Sequence, residues 1–577
     1  MSSVASLSDE PASASAMRAV TMDAPQAADA ARTTAPVTAQ PPAEAPAPTP
    51  FFVMSKTRAL AYVLSSTLLA LLQGLNMNFA SVNLYQLQGS LHVTVNEAIW
   101  LTAAYMAPYA SMSLALVRIR NHFGLRRFAE ISIAVFVLAS LLNLAVNDLN
   151  SGIVVRFISG MAAAPLSSLA FFYMLEPFPR ERKFAYGLPL ALANTSISAP
   201  LAQLVSPHLI NFGGWQGLYT FELAMALLAF PIIYLLPLTP LPHAKVIEKL
   251  DFLSYPLLGI GFGCIAVTLA VGRLYWWFEA PWIGILLAVA CAALTAHVLI
   301  ELQREKPLVD VRWLLTRDNI HLGLVLLVFR VIASEQSSVA VNFFTNLGLT
   351  NDLMPRLYVI MIVSGLTGAW SCCFFLKKNW IAGSHVFALV LMALGAFMDS
   401  HATSLTRPEQ MYLSQALVAA GAAMFLPTAM AKGFGTALVK GPQYVLTFLV
   451  IFLFTQSIGG LIGSAVFGTF MQIRQRVHLQ ALLENFVLTD PIVAARVQTY
   501  ATAYGRVVTD RLAAHSQGIS AVYQTISRES YVLAYNDTFF LISVVAVAAL
   551  IALIGHLSFN LAKKHITDAV RRPAVAQ

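Results

Sequence analysis

One feature limits this chain more than any other. Run after run of about twenty apolar residues recurs along it, the length of helix that crosses roughly 30 Å of hydrocarbon. Fourteen such spans are predicted, near 58–80, 97–117, 128–146, 151–175, 185–207, 216–237, 252–272, 281–301, 320–346, 353–376, 380–398, 410–431, 444–470 and 538–560. Inside a bilayer each backbone N–H and C=O must be satisfied by the protein itself, which leaves helices or closed barrels. Barrel strands would be short and alternating; these runs are long and unbroken. The predicted fold class is an all-α polytopic membrane protein. Composition agrees, with 58% hydrophobic and 11% charged residues, where soluble domains carry about 25% charged.

The N-terminal stretch is of another kind. "DAPQAADAARTTAPVTAQPPAEAPAPTP" has almost no large apolar side chains, so residues 1–56 are expected to form a disordered cytoplasmic tail. With no basic segment leading into an apolar stretch before Phe51, it is not read as a signal peptide. The Lys and Arg of the short loops and C-terminal tail fall on alternate sides, 21 against 3. The rich side includes Arg118, Arg120, Arg126, Arg127, Arg180, Lys245, Arg304, Lys306 and Arg572; the poor side has Arg273, Arg356 and Arg407. That asymmetry predicts both termini in the cytoplasm, with the chain integral to the plasma or inner membrane. The net charge of +8 is then a topology signal, and nucleic acid is not an expected partner. Cys264, Cys291, Cys372 and Cys373 all lie in predicted spans, so neither a disulfide nor a zinc cluster is expected. The sequence has no H-E-x-x-H, phosphate loop or Cys/His cluster, so an enzyme, a metal site and an ATP-driven pump are not expected.

Charges inside the spans carry the functional reading. In "GLVLLVFRVIASEQSSVAVNFF", Arg330 and Glu335 interrupt an oily run. Each ionised residue at a helix centre costs about 2.5–3.5 kcal/mol on insertion scales, so such residues face protein or water and often mark ion or substrate paths. Five residues apart on a regular helix turns them roughly 140° from one another, wrong for a simple pair. Each is expected to meet a different neighbour, or both border a central cavity. Arg156 and Glu222 are likewise set within spans, and "GLNMNFASVNL" places Asn76, Asn78 and Asn83 in the first.

Several stretches resemble the major facilitator superfamily. "VRIRNHFGLRRFAEIS" after the second span, with Gly124 at the turn before Arg126 and Arg127, resembles its motif A. "GIVVRFISGMAAAPLSS", with Arg156 and Gly160, resembles motif B, and "GGWQGLYTF" resembles the start of the sixth span. Fourteen spans and the closing "SYVLAYNDTFFLISVVAV" make the chain similar to the EmrB/QacA type of drug/proton antiporters. It departs from that type where motif A carries Asn121 in place of an acidic residue, where the first span has no carboxylate, and where "ANTSISAPLAQLVSP" keeps little of motif C beyond Pro200.

The resemblance implies a major facilitator fold of two six-helix halves, 57–240 and 319–565, with two inserted spans and a cytoplasmic linker over 241–318 and a cytoplasmic tail over 566–577. It implies proton-coupled efflux of small hydrophobic or toxic organic compounds, with the proton gradient as drive and no cofactor. Uptake of an organic anion by the same fold is the alternative. Glu335, then Glu222, are the proton-carrying candidates, with Arg156 matching motif B. A carboxylate cycling a proton near neutral pH needs surroundings that disfavour its charged form. Arg330, Asn76, Asn78 and Asn83 are cavity candidates, and Asn121, Gly124, Arg126 and Arg127 form the switch loop. The competing structural reading is a set of static charges that lock helix packing. Over 471–537, Asp490–Pro491 predicts a helix start and Gly518 a helix stop, so helices outside the membrane are expected. These would cap the transporter or dock a periplasmic adaptor leading to an outer-membrane channel, as in Gram-negative relatives of the type.

Overall fold

The computed structural model describes residues 51–179, 182–240, 247–277, 279–305, 307 and 310–571. The predicted tail up to residue 50 lies outside them, as do the loop residues Arg180, Lys245, Lys306 and Arg572. The regular structure among the described residues is all helical. The helices are α1 (Lys56–Val82), α2 (Leu84–Leu91), α3 (Val95–Phe123), α4 (Leu125–Asn143), α5 (Leu149–Leu175), α6 (Leu188–Leu235), α7 (Asp251–Val271) and α8 (Pro281–Leu302). After a single turn at Val311–Leu314 come α9 (Arg317–Ile332), α10 (Val341–Asn346), α11 (Pro355–Lys377), α12 (Ile381–Asp399), α13 (Tyr412–Lys440), α14 (Pro442–Glu484), α15 (Pro491–Tyr504) and α16 (Arg511–Arg571).

Among the described residues, eleven helical segments are long and apolar enough to cross a membrane. One of them, Lys183–Leu235, holds two of the predicted spans, because Gly213 and Gly214 break it; Gly214 sits at φ +55°, a conformation that glycine takes freely. Each of the fourteen predicted spans lies on helix. The apolar core is divided. One buried cluster joins Tyr62, Tyr105, Phe128, Phe136, Leu166 and Ala226 from α1 to α6. Another joins Leu326, Phe343, Tyr358, Met392, Phe425 and Phe539 from α9 to α16.

Two expectations about the late loop divide. Asp490 does start a helix, its side chain accepting from the Ile492 N–H at 2.7 Å. Gly518 does not stop one: α16 runs unbroken from Arg511 through the last predicted span. A methyl group at Gly518 would lie 2.6 Å from the Val497 carbonyl, so its smallness lets α15 lie against α16. α14 and α16 themselves run on past their predicted spans, α14 to Glu484 and α16 from Arg511. Arg474 and His478 of α14 both reach Asp537 of α16, at 2.5 and 2.7 Å.

Glycine also sets the closest approach in the membrane. Gly459 and Gly463 of α14 form a G-x-x-x-G face against α9. A Cβ on Gly463 would fall 2.0 Å from Ser334 Oγ and 3.0 Å from the Val331 carbonyl. Gly463→Ala is therefore expected to destabilise the protein by about 1–3 kcal/mol, read as a lower unfolding temperature in detergent. Gly555→Ala, with nothing within 4 Å in the middle of α16, is the control that does not lower it.

Candidate functional site

The segment carrying Arg330 and Glu335 is not a regular helix. After Ile332 the chain turns at Ala333 and Ser334, then winds as a π-helix over Gln336–Ala340 before α10 begins. The 140° separation inferred for an unbroken helix does not apply, since the winding changes between the two residues. Breaks and π-turns of this kind inside spans recur at functional positions. The expectation of two separate neighbours is met. Arg330 Nε donates to the Gln456 carbonyl of α14 at 3.2 Å, while Glu335 faces α13.

Glu335 is fully buried. Its Oε1 accepts from Gln415 Nε2 at 3.0 Å, and the same nitrogen donates to Asp399 Oδ2 at 2.7 Å. Ser414 donates to the other oxygen of Asp399. Gln336 Nε2 donates to the Gln415 carbonyl at 3.0 Å and to its Oε1 at 3.2 Å, which fixes the amide with its nitrogen toward the carboxylates. Two buried acids thus share one amide donor, and the ion pairs among the described residues include neither. Glu335 Oε2 is buried without a hydrogen-bond partner among the described residues. Two negative charges this close in a water-poor setting repel strongly, and one shared proton relieves that.

A second polar cluster sits in α1–α6. Arg156, fully buried on α5, donates from both terminal nitrogens to Asn76, at 3.0 Å to Oδ1 and 3.1 Å to the carbonyl. Asn76 Nδ2 then donates to Glu222 Oε1 at 2.6 Å, and Ser140 donates to the same oxygen at 2.8 Å. The guanidinium lies 4.3 Å from the Tyr105 ring and 5.8 Å from that of Tyr219. One cation and one anion are here joined through an amide. Asn78 and Asn83 turn back onto their own helix, donating to the Gly74 and Phe79 carbonyls at 2.7 and 2.9 Å. Asn83 also accepts from Ser206 at 2.9 Å. Asn76 and Asn83 are buried, so of the asparagines expected to line a cavity only Asn78 keeps part of its surface open.

In the predicted switch loop, Gly124 takes φ +79° between α3 and α4. Arg126 and Arg127 are exposed, Arg126 pairing at 3.0 Å with Glu130 one turn along. The buried arginine of the stretch is Arg118. It pairs with Asp251 of α7 and donates to the Pro307 carbonyl at 3.1 Å. Asp251 also meets Arg304 at 2.8 Å, and Arg304 meets Glu301 and Glu248 at 3.1 and 2.9 Å. Among the described residues, the Asn121 side chain accepts only from Arg120, at 3.4 Å. The carboxylate beside this loop comes instead from Asp251 of α7.

The family model of the Major Facilitator Superfamily matches residues 66–478. The chain is 27% identical over 254 residues to the multidrug export protein EmrB of Haemophilus influenzae, covering 43% of this chain and 48% of that one. It is 25% identical over 472 residues to the probable actinorhodin transporter of Streptomyces coelicolor, 78% and 79% of the two chains. The match spans about half the length of the first curated relatives, 48 to 50%. Among solved structures, the proton:xylose symporter XylE superposes with a TM-score of 0.52 at 14% identity, over 85% of this chain and 95% of that one, a likeness of fold.

Proposed function

The chain belongs to the Major Facilitator Superfamily, and we propose that it exports small organic compounds, hydrophobic and toxic ones among them, across the cytoplasmic membrane in exchange for protons. The observation that carries this reading is the buried pair Glu335 and Asp399, held on one amide nitrogen of Gln415 without a cation in ion-pair reach among the described residues. A site of this kind takes up one proton when open to the acidic side and releases it when open to the other. The irregular winding at Ala333–Ala340 supplies backbone that can shift as it does so. Glu222 is the second candidate, since it rests on Asn76 and Ser140 with Arg156 on the far side of that amide, whereas Glu335 shares its donor with a second acid. The relatives' names, multidrug export and actinorhodin transport, favour export over uptake.

In this reading both termini are cytoplasmic, supported by the 21-to-3 distribution of Lys and Arg. The outward rods of α14 and α16 with α15 would receive an adaptor protein, a role supported by the exposed apolar side chains Ile492, Val507 and Leu512. Everted membrane vesicles with an acidified lumen test the function directly. Adding an exported compound should release lumenal protons within the transport time, and vesicles lacking the protein should not respond. Proton uptake together with the compound would instead assign the chain to import.

A further inference from the structure

Arg156 and Arg330, each set within a predicted span, are used in opposite ways. Arg156 is fully buried, and both of its terminal nitrogens are occupied by Asn76. Arg330 is only half-buried, although helices surround it. The α14 backbone passes so close that a Cβ on Gly459 would lie 2.9 Å from Arg330 Cβ and Cγ, and one on Gly460 3.1 Å from Nη2. Its Nε is held by the Gln456 carbonyl. Its two terminal nitrogens make no hydrogen bond to a described residue and remain accessible. None of the ion pairs among the described residues includes it. Glu335, the acid nearest in sequence, is turned to Gln415 and Asp399.

The residue that holds Nε, Gln456, carries a further donor on its side chain. Gln456 Nε2 is buried without a partner among the described residues. From α3, Tyr109 comes close enough for the two groups to interact electrostatically; its hydroxyl accepts from Gln73 at 3.2 Å. Met77 shares Gln73 Nε2 with Tyr109, at 3.9 Å, Met112 stands one turn along α3 from Tyr109, and Leu461 follows Gly460 on α14; all three are partly open apolar side chains. A fixed guanidinium with two free, coplanar nitrogens fits a planar or tetrahedral oxyanion through paired hydrogen bonds. A cation left uncompensated within a bilayer is unfavourable, and an anionic ligand removes that penalty at the moment of binding.

We infer that Arg330, with Gln456 beside it, is the recognition site for the acidic group of an amphipathic organic anion, a carboxylate, sulfonate or phosphonate carried on an apolar body. This inference rests on the transport reading and names its substrate class. The apolar body lies against Met77, Met112 and Leu461, and the oxyanion takes the two terminal nitrogens of Arg330. Proton binding at Glu335 and Asp399 is a separate event on α13 and α12.

Purified wild-type protein in detergent is titrated with 2-naphthoate and with 2-naphthylmethylammonium, probes matched in apolar body and opposite in charge. Naphthoate should bind and the ammonium should not displace it. Arg330→Gln should weaken naphthoate at least about tenfold, and Arg330→Lys, which keeps the charge and loses the fork, should fall between. Wild-type preference for the ammonium, absence of naphthoate binding, or equal naphthoate binding by a folded Arg330→Gln protein overturns the inference. The wild-type competition decides by itself if Arg330→Gln does not fold. Proton release from everted vesicles by either probe keeps the transport reading standing whichever way the binding falls.

Discussion

Glu335→Gln and Asp399→Asn combined in one protein are expected to leave proton-driven export at the level of vesicles without the transporter. Exchange of labelled for unlabelled substrate, with no gradient imposed, should persist. The two substitutions keep shape, and Gln415 Nε2 can still donate to the oxygens that remain, so the bonds of 3.0 and 2.7 Å survive in kind. What disappears is the capacity to gain and lose a proton. Either single change leaves one acid on the same amide, and export should fall partway with an altered dependence on external pH. Undiminished proton-driven export by the double variant would remove the pair from the mechanism. Loss of exchange together with export would reassign it to packing.

The class of the molecule was legible from the apolar runs because a bilayer imposes one solution on such runs. The positions of helices followed to within a few residues for the same reason. Much of the polar interior followed less well. Asp399 is the last residue of α12, one residue past a predicted span end at 398, and so reads in sequence as the first residue of a loop. Its burial at 2% exposure comes from α13 folding back across it, which no local pattern announces. Gln415 carries no charge, and a scan for ionised residues passes over it; its importance lies in having two acceptors on one nitrogen. Asp251 resembles an interface residue until Arg118 and Arg304, 133 and 53 residues away in sequence, are seen on either side of it. The asparagines of α1 left two readings open, a cavity lining or a bond that ties the helices, and Asn76 makes bonds of the second kind. A short polar side chain in an apolar helix can line a cavity or bond back to the preceding turn, and the sequence does not distinguish the two.

The second large effect is expected in α1–α6. Arg156→Leu strips the only cation found among the described residues of a cluster in which Glu222 is 1% exposed, leaving a buried carboxylate held by Asn76 and Ser140. Removing one partner of a buried charge pair destabilises by about 3–5 kcal/mol, whereas replacing both partners with apolar residues is often neutral. The single variant should therefore unfold at a clearly lower temperature in detergent, and Arg156→Leu with Glu222→Leu should recover most of the loss. Asn76 makes the coupling indirect, since it is the shared partner that both side chains grip, so the recovery measures a three-residue unit rather than a contact. A double variant no more stable than the single one would mean that Arg156 acts on something other than Glu222. The same protein also separates the two clusters by function. If the proton is carried by Glu335 and Asp399, the refolded double variant, with no ionisable group left at positions 156 and 222, must still move protons against substrate; a stable double variant that cannot would place the coupling in α1–α6.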